Sequence, residues 1–313
     1  MARQRVLRLK KDYPVTWEDA LEQFLRRKMA EGLSPTTIHD YSKHIKRFFN
    51  YFPDAFDASC LKDCVMEHMS QKIKPATYNL RLIYLKTFFT WCLMEGIFPS
   101  NPLEGLKKRK DPGRIVNIDA DVLTELITLP NKNTYAGFRD YTLILLSLDT
   151  GIRPKEAFSI MKEDINFRSL EIYVRSEVAK TRTSRTLPIS PVTAKAITDL
   201  ISSRHHSWKE IIPVFCSCEG TPLNRHTWGQ RLKVYSKQLE VKVRPYDLRH
   251  AFALQYLRNG GNALALQRTM GHSDLTMTKR YVALTQQDLR EQHATASPLN
   301  VLLPQKNRIR KIK

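Results

Sequence analysis

Arg244 to Leu284 reads RPYDLRHAFALQYLRNGGNALALQRTMGHSDLTMTKRYVAL, and this stretch decides how the rest of the chain is read. It holds three short helical patterns separated by turn signals. In the first, Leu248, Ala251, Phe252 and Tyr256 recur at the spacing that lines one helix face. Asn259-Gly260-Gly261 stops it. The second runs from Asn262, which can cap free backbone N–H groups, to Met270, and Gly271 is a natural left-handed terminator. Ser273 can cap the third. His272 then sits in the turn ahead of that helix and Tyr281 near its end, so both can face one pocket.

Upstream, Val116 to Leu129 and Phe138 to Leu148 read as helices, the second apolar enough to lie at the centre of a core. Asp149-Thr150-Gly151 ends it, and Arg153-Pro154 opens a further helix expected to reach Met161. Leu170 to Arg175 and Arg185 to Ile189 alternate as strands do, forming a hairpin with Lys180 in its tip. Helices are expected at Pro191 to Ser203 and Asn224 to Glu240, with a short extended piece at Pro213 to Phe215.

The first hundred residues have a different character. Residues 1–12 form a basic arm with Arg3, Arg5, Arg8, Lys10 and Lys11. Residues 13–96 read as four helices: one after the Thr16 cap, one after Ser34-Pro35, a shorter one around Leu61 to Met69, and one from near Pro75. Trp17, Leu21, Phe24, Ile38, Tyr41, Phe48, Tyr78, Leu82 and Phe89 fall on buried periods, which makes the aromatics core rather than base-stacking platforms. Lys72, Lys74, Arg81 and Lys86 are expected outside, as DNA contacts. A linker is placed at 97–116 on its Pro, Asn and Gly signals, and its Lys107, Lys108, Arg109 and Lys110 suit a phosphate backbone. The second domain takes 117–290, and 291–313 is a C-terminal tail.

Lys and Arg number 51 against 31 Asp and Glu, a formal charge of +20 spread along the chain. Such a field favours a polyanion, foremost nucleic acid, because each phosphate neutralised releases counterions. No run approaches a membrane span and the N-terminus lacks an apolar signal core, so a cytoplasmic protein is expected. Five cysteines, an odd number, fit reduced thiols. Cys216 and Cys218 lack a second Cys or His pair nearby and read as ordinary side chains.

Arg153, Lys180, Arg249, His250, His272 and Tyr281 each occupy a turn, a hairpin tip or a helix end, and together they suggest phosphoryl transfer. Two guanidiniums can hold the non-bridging oxygens of a phosphodiester under attack. A tyrosine nucleophile needs a base, and the leaving 5′ oxygen an acid. His250 or His272 could position or take the proton, and Lys180 could donate one. No Asp/Glu cluster spaced for metals is evident, so no metal or cofactor is expected.

At these residues the chain resembles the tyrosine recombinase, or phage integrase, family, from about Thr16 to Leu284. TGIRPKEAFSI (150–160) resembles the first catalytic box, with Arg153 and the supporting Glu156. AKTRTSRTLPI (179–189) resembles the hairpin that carries the catalytic Lys180. DLRHAF (247–252) resembles the second box with Arg249, and GHSDLTMTKRY (271–281) the last, with His272 and the nucleophile Tyr281. One position departs: three residues before Arg249 the family usually has histidine, sometimes lysine, and here stands Tyr246, which can still hydrogen-bond a phosphate.

The resemblance implies a mainly α fold: a four-helix, SAM-like core-binding domain, then an α-rich catalytic domain with a small antiparallel sheet, the DNA breaking-rejoining fold, closing on DNA as a clamp. It implies a simple two-domain recombinase of the Xer or mobile-element type. Tyr281 would form a 3′-phosphotyrosine, and exchange would pass through a Holliday junction in a homotetramer on two inverted-repeat-type DNA sites, with an accessory directionality protein as a further partner. In the family such a tail often docks on a neighbouring subunit. The alternatives are a type IB topoisomerase-like relaxing enzyme, a catalytically silent DNA-binding relative and an RNA-binding helical protein; the last lacks single-stranded RNA signatures.

Overall fold

The computed structural model describes residues 16–111, 116–179, 182–208, 211–279, 281, 290 and 293–303. The chain divides into two compact units, Met1–Arg114 and Ile115–Lys313.

The first unit is helical: α1 (Trp17–Ala30), α2 (Pro35–Tyr51), α3 (Ala58–Ser70) and α4 (Pro75–Glu95). Local chemistry sets their starts. Thr16, Ser34 and Asp57 side chains accept from the backbone N–H of Asp19, Thr37 and Ser59. The core is aromatic, with Phe24, Phe48, Phe49, Phe88 and Phe89 almost fully buried and mostly edge-to-face.

One of the expected DNA contacts turns inward here. Arg81 is buried, its Nη1 donating to His68 O at 2.9 Å and to Gln71 Oε1 at 2.8 Å. The reason lies at the end of α3, whose last carbonyls lack intrahelical donors and are met by this guanidinium. Arg109 stays exposed, with its Nη2 donating to Met69 O at 3.4 Å and its guanidinium over the Tyr78 ring at 3.8 Å. Lys72, Lys74, Lys107, Lys108 and Lys110 are exposed and Lys86 is half-buried. The arm at 1–12 lies outside the described residues.

The second unit is built around α6 (Tyr135–Thr150), with α5 (Ala120–Thr128) beside it. A one-turn helix α7 (Pro154–Ala157) leads through a 3-10 turn to β1 (Ile165–Asn166), β2 (Glu171–Val174) and β3 (Arg185–Pro188). Then come α8 (Pro191–Ser202), α9 (Arg225–Gln238), α10 (Pro245–Arg258), α11 (Ala263–Met270), α12 (Leu275–Lys279) and α13 (Leu299–Leu302). The strands form an antiparallel sheet in the order β1-β2-β3, where Ile172 pairs with Leu187 and both face the core. Leu143, Ile144 and Leu146 of α6 join them with Ile197, Trp228, Leu232, Leu248 and Ala251.

Three local expectations change. The helix opened by Arg153-Pro154 stops at Ala157 rather than Met161, because Ile160 O is recruited by Val214 N at 2.8 Å and Met161 N by Asp164 Oδ2 at 2.8 Å. The expected hairpin gains β1 as a third strand. Where an extended piece is expected at Pro213 to Phe215 the chain bends, and an isolated bridge follows at Cys216 to Pro222.

Candidate active site

Two glycines in left-handed conformation frame the site. Gly151 (φ +61) ends α6, and an added Cβ there would collide with the Phe252 ring. Gly271 (φ +61) ends α11. Their carbonyls anchor the two arginines: Arg249 Nη1 donates to Gly151 O, and Arg153 Nη2 donates to Gly271 O at 2.8 Å. Arg249 projects from α10, and its Nη2 also donates to Met270 O at 2.6 Å. Both arginines are buried.

Behind them stands Glu156 on α7. Its carboxylate accepts from Arg153 Nη1 at 3.0 Å and from Arg153 N at 3.2 Å. It also accepts from Arg185 of β3, which the sequence reading did not single out and which further donates from Nε to Thr269 O at 3.0 Å. Nothing in the spacing distinguishes Arg185 from the nearby Arg182; only the sheet turns it toward Glu156. Burial works to raise the Glu156 carboxyl, but the hydrogen bonds and charges of Arg185 and then Arg153 outweigh it and hold it below the usual range.

His272 lies between Arg249 and Tyr281. Its Nε2 is 3.2 Å from Arg249 Nη2 and its Nδ1 is 2.9 Å from Thr278 Oγ1. A guanidinium can only donate, so Nε2 is the acceptor and the proton sits on Nδ1. Burial, then the charges of Arg249 and Arg153, bring His272 down to about 4, so it is neutral at physiological pH. Burial and the Arg153 charge likewise pull Arg249 down to about 9, a guanidinium short of negative charge that a phosphate can supply.

Tyr281 is buried against Phe252, Ala253, Leu257, Leu266 and Met270. Its ring lies nearly parallel to His272, with centroids 6.4 Å apart and planes at 9°. Its hydroxyl is 2.7 Å from Nδ1 of His250, the residue after Arg249 on α10. The side chains of Arg153, Glu156, Arg249, His250, His272 and Tyr281 thus come together. Lys180 lies outside the described residues. Tyr246, half-exposed on the first turn of α10, has Arg225 over its ring at 5.6 Å, and among the described residues its hydroxyl has no hydrogen bond to this group.

Two guanidiniums, those of Arg153 and Arg185, therefore share one carboxylate, and Arg249 lies near enough for its charge to be felt by the group. Each guanidinium carries five N–H donors, more than the protein's own acceptors take among the described residues, so donors remain for the oxygens of a phosphodiester. An open groove lined by Arg185, Gln267, Arg268, Gly271 and His272 runs beside them. Among the described residues no three His, Cys, Asp or Glu side chains are grouped to hold a metal. Cys216 lies 3.0 Å from the Tyr135 hydroxyl, and Cys218 is exposed. Among the described residues no helix is long and apolar enough to cross a membrane.

Residues 117–288 match the phage integrase family, and residues 21–96 match the phage integrase N-terminal SAM-like domain. Tyrosine recombinase XerC of Shewanella amazonensis is 27% identical over 286 residues, covering 89% of this chain and 95% of XerC. Tyrosine recombinase XerD of Staphylococcus aureus is 26% identical over 298 residues, covering 90% and 99%. Among solved structures, the Tn1549 transposon integrase in complex with a circular intermediate DNA superposes with a TM-score of 0.71 at 20% identity, covering 90% of this chain and 100% of that one.

Proposed function

The chain belongs to the phage integrase family, and from that membership and the geometry of the site we propose that it is a tyrosine recombinase, an enzyme that cuts and rejoins DNA at a specific site by transesterification. Tyr281 attacks the scissile phosphorus through its hydroxyl, forming a 3′-phosphotyrosine and releasing a 5′ hydroxyl. Arg153 and Arg249 hold the non-bridging oxygens, and the negative charge that Arg249 lacks from the protein is supplied by the developing phosphorane. Neutral His272 fixes Arg249, and Glu156 fixes Arg153. Lys180 protonates the leaving 5′ oxygen. The phosphoester keeps the energy of the cut bond, so a second strand's 5′ hydroxyl can reverse the step.

The observation that carries this reading is convergence: Arg153, Arg249, His272 and Tyr281 meet around the carbonyls of Gly151 and Gly271, although Arg249 and Gly151 are 98 residues apart. A formal charge of +20 supplies the field for DNA. The exposed lysines Lys72, Lys74, Lys107, Lys108 and Lys110 are available to contact DNA phosphates. Four copies acting in the cytoplasm on two inverted-repeat sites would exchange strands through a Holliday junction. In the tail, α13 exposes Leu299, Val301 and Leu302, which suits docking on a neighbouring copy. Deleting residues 297–313 should weaken pairing of two sites while sparing binding to one.

The direct test is a nicked suicide duplex carrying a candidate site from DNA flanking the gene. A denaturation-resistant protein–DNA adduct that vanishes with Tyr281→Phe is expected. Specific binding with no adduct would instead mark a silent relative, and relaxation of supercoils by the monomer at any sequence would mark a topoisomerase.

A further inference from the structure

Among the described residues, one group that could activate the proposed nucleophile is aimed at its hydroxyl. The Tyr281 hydroxyl lies 2.7 Å from His250 Nδ1, with the two rings inclined at 43°. His272 is differently placed. Its Nε2 accepts from Arg249 and its Nδ1 proton goes to Thr278, so it has no lone pair for the phenol without releasing Arg249. Its ring also stacks parallel to Tyr281 rather than pointing a nitrogen at the hydroxyl. Tyr246 has Arg225 over its ring.

We propose that His250 is the general base of the cleavage step, taking the Tyr281 proton on Nδ1 as the phenolic oxygen attacks phosphorus. The inference rests on the tyrosine recombinase reading above. In the step the Tyr281 O–H bond breaks and an N–H bond forms on His250, whose neutral ring starts with its proton on Nε2. The Oη–P bond forms as the P–O5′ bond breaks, and the 5′ oxygen takes its proton from a separate donor, the role given to Lys180. On rejoining, the imidazolium returns its proton to the tyrosine. Proximity favours this: the base stands within hydrogen-bond reach of the proton it removes, on the same rigid helix as Arg249. The residue beside the second arginine thereby does work that position 246, a tyrosine, does not.

The experiment uses the full chain and the suicide duplex under single-turnover conditions, comparing wild type with His250→Asn and His250→Ala. Each is run on an ordinary scissile phosphate and on one with sulfur at the bridging 5′ position. Both variants should bind DNA as wild type does and form adduct about 10²- to 10⁴-fold more slowly, the usual contribution of such a group. The sulfur substrate, whose leaving group needs no proton, should not restore them, whereas added imidazole should partly restore His250→Ala. A His250→Asn enzyme as fast as wild type would overturn the proposal, because asparagine can orient the phenol and cannot take its proton. Rescue by sulfur would also overturn it, making His250 the acid. If wild type forms no adduct, the recombinase reading itself fails, and the base assignment falls with it.

Discussion

Arg185 and Glu156 meet through two contacts, Nη1 to Oε1 at 3.2 Å and Nη2 to Oε2 at 2.6 Å, while the same carboxylate holds Arg153. Arg185 thus reaches Arg153, the proposed phosphate-binding arginine, through an intermediary. Glu156→Gln should keep DNA affinity within a few-fold yet slow adduct formation by about 10²-fold, the scale of a small misplacement of a reacting group. Arg185→Ala should act in the same direction. Glu156→Ala removes the carboxylate that pairs with Arg153 and Arg185 and should also cost about 3–5 kcal/mol of stability. Urea unfolding beside single-turnover cleavage separates the two effects; unchanged cleavage in Glu156→Gln would remove the positioning role.

The turn at Gly151 is constrained twice. Its φ of +61 disfavours a side chain, and a Cβ would run into Phe252. Gly151→Ala should therefore destabilise by about 2–5 kcal/mol, adding left-handed strain to overpacking. Adding Phe252→Leu should recover the packing part only. A double-mutant cycle in unfolding free energy checks it, and strict additivity would show that the contact is not what costs.

Acid should weaken the fold through two buried histidines. Burial, then Arg81 and Arg47, bring His68 down to about 4, and its buried Nδ1 has no hydrogen-bond partner among the described residues. His272 is likewise brought to about 4. The unfolded chain binds protons on both below about 6.5, whereas the folded chain does so only near 4, so stability rises with pH across this window. His68→Phe keeps a ring against Phe48 and Phe52 and should lose less stability than wild type on going from about pH 7 to about pH 5. Equal losses by urea unfolding would show that His68 does not titrate with folding.

The basic linker run is clasped to α4. Asn79 Nδ2 donates to Arg109 O at 2.9 Å and Arg109 N donates to Asn79 Oδ1 at 2.8 Å, as two strand residues would pair. Asn79→Ala should release the run and speed tryptic cleavage at Lys107 to Lys110 by about fivefold to thirtyfold, the factor corresponding to the loss of one to two kcal/mol. Cleavage at the wild-type rate would mean that Arg109 over Tyr78 holds the segment alone.

Tyr281, the proposed nucleophile, is placed in its own chain's site, where His250 and His272 both lie against it. Mixing Tyr281→Phe with Arg249→Ala should therefore give no adduct. Restored cleavage in the mixture would mean that the tyrosine is delivered to a neighbour.

Much of this was legible in the residues. Ser34-Pro35, Asn262 and Gly271 start and stop helices through groups within a few positions of each other, so those ends follow from local capping and periodicity. The boxes around Arg153, Arg249, His272 and Tyr281 carried the family and the chemistry because a phosphodiester demands those residue types. Partnering decided the rest. Helical spacing cannot say that Arg81 turns to the end of α3, because that depends on where another helix stops. Nor does it say that the Ile160 carbonyl accepts a hydrogen bond from Val214 N and α7 is cut short. The two histidines were equal candidates in sequence; what separated them is that Arg249, a pure donor, claims the acceptor nitrogen of His272 and leaves the phenol to His250. Spacing along a chain specifies its near neighbours, and which donor meets which acceptor across dozens of residues is settled only when burial leaves each of them no water to turn to.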